Sequence, residues 1–206
     1  MKRSNIFYKA FSPIVSVLFY IIFLPRVKGK ENIPRSKGAV LAGNHKSNLD
    51  CFMVILSTGR CVHFLAKAEL FKLSLFNWFF SNSGLIPVYR NGRDKKAYES
   101  AVECLERGRL VGVFPEARLN KKKKNSLLPF KIGAVKMAKQ TECPIIPFAI
   151  RGRYIPFAHS IEIAFGKPFY VNNNNLDDAN KILEGKVCDL LNERKKKRFT
   201  GRKSIL

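Results

Sequence analysis

Residues 38–50 read GAVLAGNHKSNLD, an apolar run that gives way to polar residues. The run AVLAGN, residues 39–44, predicts a short buried strand, and Ser47 to Ile55 reads as the start of a helix. In folds that alternate strands with helices, the carboxyl ends of the strands open onto the crevice where active sites form. We therefore expect His45 at the mouth of a crevice rather than in the core.

His45 and Asp50 form an H-x4-D pair within this stretch. An imidazole can remove a proton near neutral pH, and a carboxylate on its other ring nitrogen would set its tautomer. On a continuous helix the two side chains would point about 140° apart, so a bend at Ser47 is needed to bring them together. Ser47 and Asp50 also resemble a capping box, and Asp is favoured in a first helical turn. Both interpretations stay open on spacing alone.

Strand and helix patterns alternate along the rest of the chain. They predict an α/β fold, a single domain with a largely parallel or mixed central sheet flanked by helices. Strands are expected at 61–66, 85–89, 110–114, 144–150 and 161–165, and helices at about 69–80, from 93 to Gly108, at 131–140 and from about 177 onward. The apolar stripe of the last helix is expected to consist of Ile182, Leu183, Val187, Leu190 and Leu191.

The charge balance requires an anionic partner. The chain of 206 residues has 38 Lys and Arg against 15 Asp and Glu, a net charge of +23, which solubility alone does not need. Nucleic acid, an anionic bilayer and an acidic carrier protein would all fit this charge. The 17 Phe indicate a folded, lipid-tolerant body, and no RNA-recognition motif, Cys/His finger or basic zipper region is present. We therefore expect no nucleic-acid partner.

An uncharged run, FSPIVSVLFYIIFL, occupies residues 11–24 between basic flanks. As a helix it would reach only about 21 Å, short of the roughly 30 Å of a hydrocarbon core. The following PRVKGK has no small-residue cleavage site, which disfavours a secretory signal peptide. The pattern predicts an interfacial anchor over residues 1–30, with a core helix at the domain edge as the alternative.

Five cysteines are scattered singly, without a C-x-x-C pair or a His at metal-ligand spacing. They predict reduced, buried thiols in a cytosolic compartment rather than disulfides, and no metal site. None has the surroundings of an activated nucleophile.

Four blocks together resemble the glycerolipid acyltransferases, the family of 1-acyl-glycerol-3-phosphate acyltransferases. They are GNHKSNLD (43–50), GLIPVYR (84–90), VFPEAR (113–118) and PIIP (144–147), in the family's order. The resemblance extends from about residue 33 to 168. In the third block Ala117 replaces the usual Gly, and the Arg falls at the shorter of the family's two spacings.

The resemblance implies a glycerol-3-phosphate acyltransferase-like domain over residues 31–206, with His45 and Asp50 as the catalytic dyad. The reaction would move a fatty acyl group from a coenzyme A or acyl carrier protein thioester to the sn-2 hydroxyl of lysophosphatidic acid, giving phosphatidic acid. The thioester is a co-substrate and no cofactor is expected. The enzyme would lie on the cytoplasmic face of an anionic membrane. Another acceptor, such as glycerol 3-phosphate, another lysophospholipid or a lipid A precursor, and a non-catalytic basic binding module are the alternatives.

The acceptor's phosphate is expected to bind arginines at strand ends. Guanidinium groups bind phosphate oxygens in bidentate fashion, and Arg90 and Arg118 each follow a predicted strand, although either alone could be a solvated surface residue. Glu116 would bind the glycerol or orient Arg118. Lys131 and Lys67 complete the predicted substrate-binding set, and both could equally be surface residues.

Overall fold

The computed structural model describes residues 17–67, 85–88, 95–121, 126–172 and 175–200. The strands in these residues are β1 (Arg26–Lys28), β2 (Ala39–Gly43), β3 (Val62–Lys67), β4 (Ile86–Val88), β5 (Leu110–Val113), β6 (Ile145–Gly152) and β7 (Ile161–Phe165). They form a seven-stranded sheet in the order β1-β7-β6-β2-β5-β3-β4. Every neighbouring pair is parallel except β6–β7, which is antiparallel.

Helices cover both faces of this sheet. Alternate residues of β2 point to opposite sides, so Val40 and Ala42 join one apolar cluster while Ala39 and Leu41 join the other. The helices are α1 (residues 17–23), α2 (Asp50–Thr58), α3 (Lys95–Glu106), α4 (Gly133–Gln140) and α5 (Leu176–Thr200), with a 3-10 turn at Lys30–Asn32. The first cluster packs against α3, α4 and α5, and the second against α2 and Phe19 of α1.

The predicted α/β class and mixed sheet are confirmed, and six strands lie where apolar runs predicted them. Three further details differ from the sequence expectations. The strand β1 was not anticipated, because Arg-Val-Lys lacks an apolar run. Ile182, expected in the apolar stripe of α5, is 51% exposed while Leu183 and Val187 are fully buried. Cys188, expected to be buried, is exposed. The helix predicted at about 69–80 lies outside the described residues.

The predicted anchor is described only in part, because residues 1–16 lie outside the described ranges. Residues 17–23 are helical, and Phe19 is buried against Phe23 and Tyr154, with ring centroids 4.9 and 6.3 Å away. Among the described residues, no helix combines the length and apolarity needed to cross a bilayer. The strand β1 lies inside segment 1–30, so the sheet begins before residue 31.

Candidate active site

Three parallel strands deliver the site residues to one edge of the sheet. Strand β2 pairs in parallel with both β5 and β6, so their carboxyl ends lie together. His45 follows β2, Phe114 follows β5 and Tyr154 follows β6. The crevice expected from the sequence lies at this edge.

The side chains of the H-x4-D pair, His45 and Asp50, are in contact. His45 Nδ1 lies 3.1 Å from Asp50 Oδ2, the His45 side chain retains 16% exposure, and that of Asp50 has none. Because a carboxylate only accepts hydrogen bonds, the neutral imidazole in this contact carries its proton on Nδ1 and has the lone pair on Nε2. This is the tautomer that a general base requires.

A bend at residues 44–49 makes this contact possible. Asp50 Oδ2 accepts the backbone N–H groups of Lys46 at 2.6 Å and Ser47 at 2.8 Å, and α2 begins only at Asp50. The bond to the Ser47 N–H is the one a capping box would make. Asp50 Oδ2 therefore contacts the imidazole and also makes one of the two bonds of a capping box, whereas α2 is preceded by Leu49, which makes no side-chain cap hydrogen bond. The catalytic role of the pair stays a prediction.

Tyr154 is a site residue that the sequence did not reveal. Its hydroxyl donates a 2.7 Å hydrogen bond to Asp50 Oδ1. Burial raises the pKa of Tyr154, and the charge of Asp50 and this hydrogen bond raise it further, so the phenol stays protonated and remains a donor. With His45, Lys46 and Ser47, the buried carboxylate has four donors.

The backbone of His45 is held by the loop after β5. The buried Glu116 accepts the His45 N–H at 2.9 Å, and the Asn120 N–H donates to the His45 carbonyl at 2.7 Å. The other Glu116 oxygen accepts the Asn120 amide and the Leu128 N–H, each at 2.9 Å. Both carboxylate oxygens of Glu116 thus accept hydrogen bonds from the protein itself, and one of these bonds positions His45. Direct contact of Glu116 with substrate stays a prediction.

Phe114 contacts the His45 ring, and Asn44 fixes the chain just before it. The His45 ring stacks on Phe114 with centroids 4.0 Å apart and planes 12° from parallel. The side-chain amide of the buried Asn44 donates to the Ile150 carbonyl at 3.0 Å and accepts the Ile150 N–H at 2.7 Å. Asn44 therefore continues the β2–β6 pairing one residue beyond β2 and fixes where the chain turns.

The predicted phosphate ligands are only partly described. Arg118 is exposed on the loop that holds His45. Lys131 is also exposed, and its N–H donates to the Pro115 carbonyl at 3.0 Å, which places it beside that loop. Lys67 ends β3 on the same sheet edge. Arg90 lies outside the described residues.

Cys51, the residue after Asp50, has an unreactive thiol. Burial, and next the charge of Asp50, raise the pKa of Cys51 to about 12, so this thiol is not a ready nucleophile. Within the described ranges, no three His, Cys, Asp or Glu side chains are grouped as metal ligands would be.

Comparison with known proteins decides the family. The family described as Acyltransferase matches residues 25–151, a range that includes the dyad, the loop after β5 and most of β6. The chain belongs to the acyltransferase family. Other acyltransferases similar to it include a chloroplastic 1-acyl-sn-glycerol-3-phosphate acyltransferase of Brassica napus, 31% identical over 82% of this chain and 53% of that protein.

Another similar acyltransferase is the 1-acyl-sn-glycerol-3-phosphate acyltransferase of Borreliella burgdorferi, 30% identical over 77% of this chain and 63% of that one. The chain thus spans between half and two thirds of the length of these two relatives. In the crystal structure of the 1-acyl-sn-glycerophosphate acyltransferase PlsC from Thermotoga maritima, the fold is shared with a TM-score of 0.72 at 24% identity, over 93% of this chain and 79% of that one.

Proposed function

We propose that this acyltransferase transfers a fatty acyl group from a thioester of coenzyme A or acyl carrier protein to the sn-2 hydroxyl of lysophosphatidic acid. The observation that carries the proposal is the partly exposed His45 whose Nδ1 is held by the fully buried Asp50. Family membership and relatives named as 1-acyl-sn-glycerol-3-phosphate acyltransferases support this choice of reaction.

The mechanism follows from the imidazole's tautomer. His45 Nε2 takes the proton of the acceptor hydroxyl while that oxygen attacks the thioester carbonyl, and Asp50 stabilises the imidazolium that forms. Collapse of the tetrahedral intermediate forms the ester and breaks the carbon–sulfur bond. The proton on His45 then passes to the departing thiolate. The acceptor attacks the thioester directly, so this mechanism uses no acyl-enzyme, and the raised pKa of the neighbouring Cys51 thiol is consistent with that.

Cations near the dyad support an acceptor that carries a phosphate. Arg118 and Lys131 are exposed on and beside the loop that Glu116 anchors to His45. Arg90 follows β4 by two residues and Lys67 ends β3, so both belong to the proposed phosphate site through the order of the strands. A guanidinium fork would bind the phosphate while the hydroxyl faces the imidazole.

The proposed site of action is an anionic bilayer, on its cytoplasmic face. The net charge of +23 supports attraction to anionic headgroups. The apolar residues 11–24 would lie in the interface as an anchor. Lysophosphatidic acid resides in such an interface and would reach the dyad from there.

The experiment measures transfer of a labelled acyl group to a panel of acceptors with three forms of the full chain. His45→Ala should lower kcat by at least about 100-fold, because the general base is lost. His45→Asn keeps an amide N–H near the position of Nδ1 but has no base, so it should be equally impaired. Circular dichroism checks that both variants fold.

The acceptor panel separates the alternatives. Transfer to lysophosphatidic acid in preference to glycerol 3-phosphate and other lysolipids supports the proposal. Preference for another acceptor would reassign the substrate, and transfer to none would favour a non-catalytic binding module. Full activity in His45→Asn would show that the side chain matters only for its bond to Asp50.

A further inference from the structure

Helix α1 is apolar on two opposite sides. At about 100° per residue, Phe19 and Phe23 lie on the side that packs against the domain. Val17, Leu18 and Ile21 fall on the other side and are 58%, 60% and 56% exposed. A helix that is apolar all round is ordinarily buried, so its outer side requires a partner.

The hairpin between β6 and β7, residues 153–160, adds apolar side chains beside this helix. Ile155 is 45% exposed and Phe157 is 69% exposed. The Phe157 N–H donates a 2.6 Å hydrogen bond to the Ile22 carbonyl in the last turn of α1. Helix and hairpin therefore present one surface, which we call the α1–hairpin surface and define by Val17, Leu18, Ile21, Ile155 and Phe157.

The chain segments that form and flank this surface contain basic residues and no acidic ones. Segments 17–30 and 151–160 contain neither Asp nor Glu, and Arg153 is exposed. Arg26 donates to the His159 carbonyl of the hairpin at 3.1 Å. Arg26 and Lys28 share Glu162 at 4.0 and 3.2 Å, yet their side chains remain 48% and 51% exposed. An apolar centre with a basic margin is complementary to an anionic bilayer.

We propose that the α1–hairpin surface docks on an anionic lipid bilayer, with the tip of the β6–β7 hairpin inserting beside α1. This extends the proposed function, because the acceptor of that reaction resides in a bilayer. Val17, Leu18 and Ile21 belong to the apolar segment 11–24 that is already proposed as an anchor, so the new membrane contact is the hairpin, which lies outside that segment. Docking on a second copy of the chain or on an acyl carrier protein is the competing possibility.

The same hairpin connects this surface to the catalytic dyad. Tyr154 is the second residue of the hairpin, and the Tyr154 ring contacts Phe19 and Phe23 of α1 with centroids 6.3 and 5.6 Å away. Its hydroxyl holds Asp50 at 2.7 Å. Docking through Ile155 and Phe157 would therefore bring the dyad's edge of the sheet to the lipid surface.

The test measures binding of the full chain to sedimented vesicles, without acyl donor or acceptor. One set of vesicles is phosphatidylcholine and the other contains phosphatidylglycerol in addition. Phe157→Asn removes the aromatic ring with a residue that tolerates the φ of 57° at this position. We expect its partition coefficient on the anionic vesicles to fall about 10-fold.

Ile182→Asn is the matched control, because Ile182 is a 51% exposed apolar residue on α5, away from this surface. Its partition should equal that of the unmodified chain. Ile155→Ser provides a second variant of the surface, and thermal unfolding checks that each variant folds. Unchanged partition of Phe157→Asn and Ile155→Ser would overturn the proposal, as would an equal loss in the control.

Two further measurements test the competing partners of this surface. Light scattering in solution detects docking on a second copy of the chain, and a binding assay detects docking on acyl carrier protein. If Phe157→Asn abolishes self-association or carrier binding and leaves vesicle partition intact, the surface belongs to a protein partner and the proposal fails. Because these measurements need no turnover, failure of the acyl-transfer assay would leave the docking result standing. Conversely, an active enzyme with unaltered vesicle binding in both variants would refute docking alone.

Discussion

Asp50 carries its charge where water is excluded, since its side chain has no exposed surface. A buried carboxylate is costly unless hydrogen bonds replace its hydration. Lys46 and Ser47 supply two from the adjacent backbone, and His45 supplies a third from its ring. Tyr154 supplies the fourth from a position 104 residues away. The orientation of the dyad therefore depends on a residue of a distant hairpin.

Tyr154→Phe removes this hydroxyl and keeps the ring that packs against α1. A hydrogen bond to a charged group contributes about 1.5–3 kcal/mol, and we expect kcat/KM to fall by roughly 10-fold or more. Steady-state kinetics with lysophosphatidic acid measure this effect.

The control for Tyr154 is Tyr98→Phe, which loses a 2.8 Å hydrogen bond to Gln140 on the exposed side of α3. Its kcat/KM should remain that of the unmodified enzyme. If Tyr154→Phe lowers the free energy of unfolding but leaves kcat/KM unchanged, the hydroxyl is structural and does not position the dyad.

Ala117, the departure from the family's third block, has a φ of 55°. A side chain in the left-handed region costs roughly 1–2 kcal/mol, and glycine avoids this cost but loses more entropy on folding. Ala117→Gly should therefore raise the free energy of unfolding by up to about 1 kcal/mol, as urea titration can measure. Ala158→Gly, at an exposed position without positive φ, should slightly lower it. A loss of stability in Ala117→Gly would contradict the strain argument.

At the scale of elements, the close approach of β2 to β6 sets the position of His45. A Cβ added to Gly43 would lie 2.3 Å from the Phe148 carbonyl oxygen and 2.4 Å from its ring. Asn44 then bonds to Ile150, also of β6. The last residue of β2 must therefore be small for the strand to end where the imidazole is needed.

Gly43→Ala should lower the free energy of unfolding by about 1–3 kcal/mol, because a methyl group has no room between the strands. Gly133→Ala is the matched control, since nothing lies within 4 Å of the added Cβ at the start of α4. It should raise stability by about 0.5–1 kcal/mol through helix propensity. Urea titrations of both variants decide the matter, and equal effects of one sign would refute the steric explanation.

The elements with continuous apolar runs could be predicted from the sequence, since burial of both faces of β2, β5 and β6 requires such runs. The strand β1 could not, because Arg26 and Lys28 lie at a sheet edge and stay about half exposed. His45 and Asp50 were accessible because they are neighbours in sequence. The bond between Glu116 and the His45 backbone, which joins residues 71 positions apart, could not be predicted, because strand order sets it and it leaves no local pattern.

At the scale of the whole molecule, one buried ion pair joins the sheet to α5. Glu162 of β7 and Arg151 of β6 pair directly, and both are buried. Arg151 also donates to the Leu190 carbonyl of α5, and Lys28 of β1 lies 3.2 Å from Glu162. In a chain of net charge +23, the Glu162 carboxylate neutralises part of the positive charge that β1 and β6 bring together at this edge of the sheet.

Glu162→Gln should show how pH acts on this junction. Burial raises the pKa of Glu162, but the charges and hydrogen bonds of Arg151 and Lys28 outweigh burial and leave that pKa below its ordinary value. Ionised Glu162 therefore stabilises the fold above the unfolded-state pKa of about 4.3, and this stabilisation is lost as the pH falls through the lower folded-state pKa.

At pH 7 the Glu162→Gln variant leaves the buried Arg151 with only the half-exposed carboxylate of Glu193, 3.9 Å away, so the free energy of unfolding should be about 3 kcal/mol lower. The difference from the unmodified chain should shrink below a pH of about 4. Urea titrations across this range measure it. Glu99→Gln, which breaks the exposed Lys95–Glu99 pair of α3, should change stability by less than about 0.5 kcal/mol. A difference for Glu162→Gln that stays constant down to low pH would show that packing, and not the carboxylate's charge, accounts for the loss.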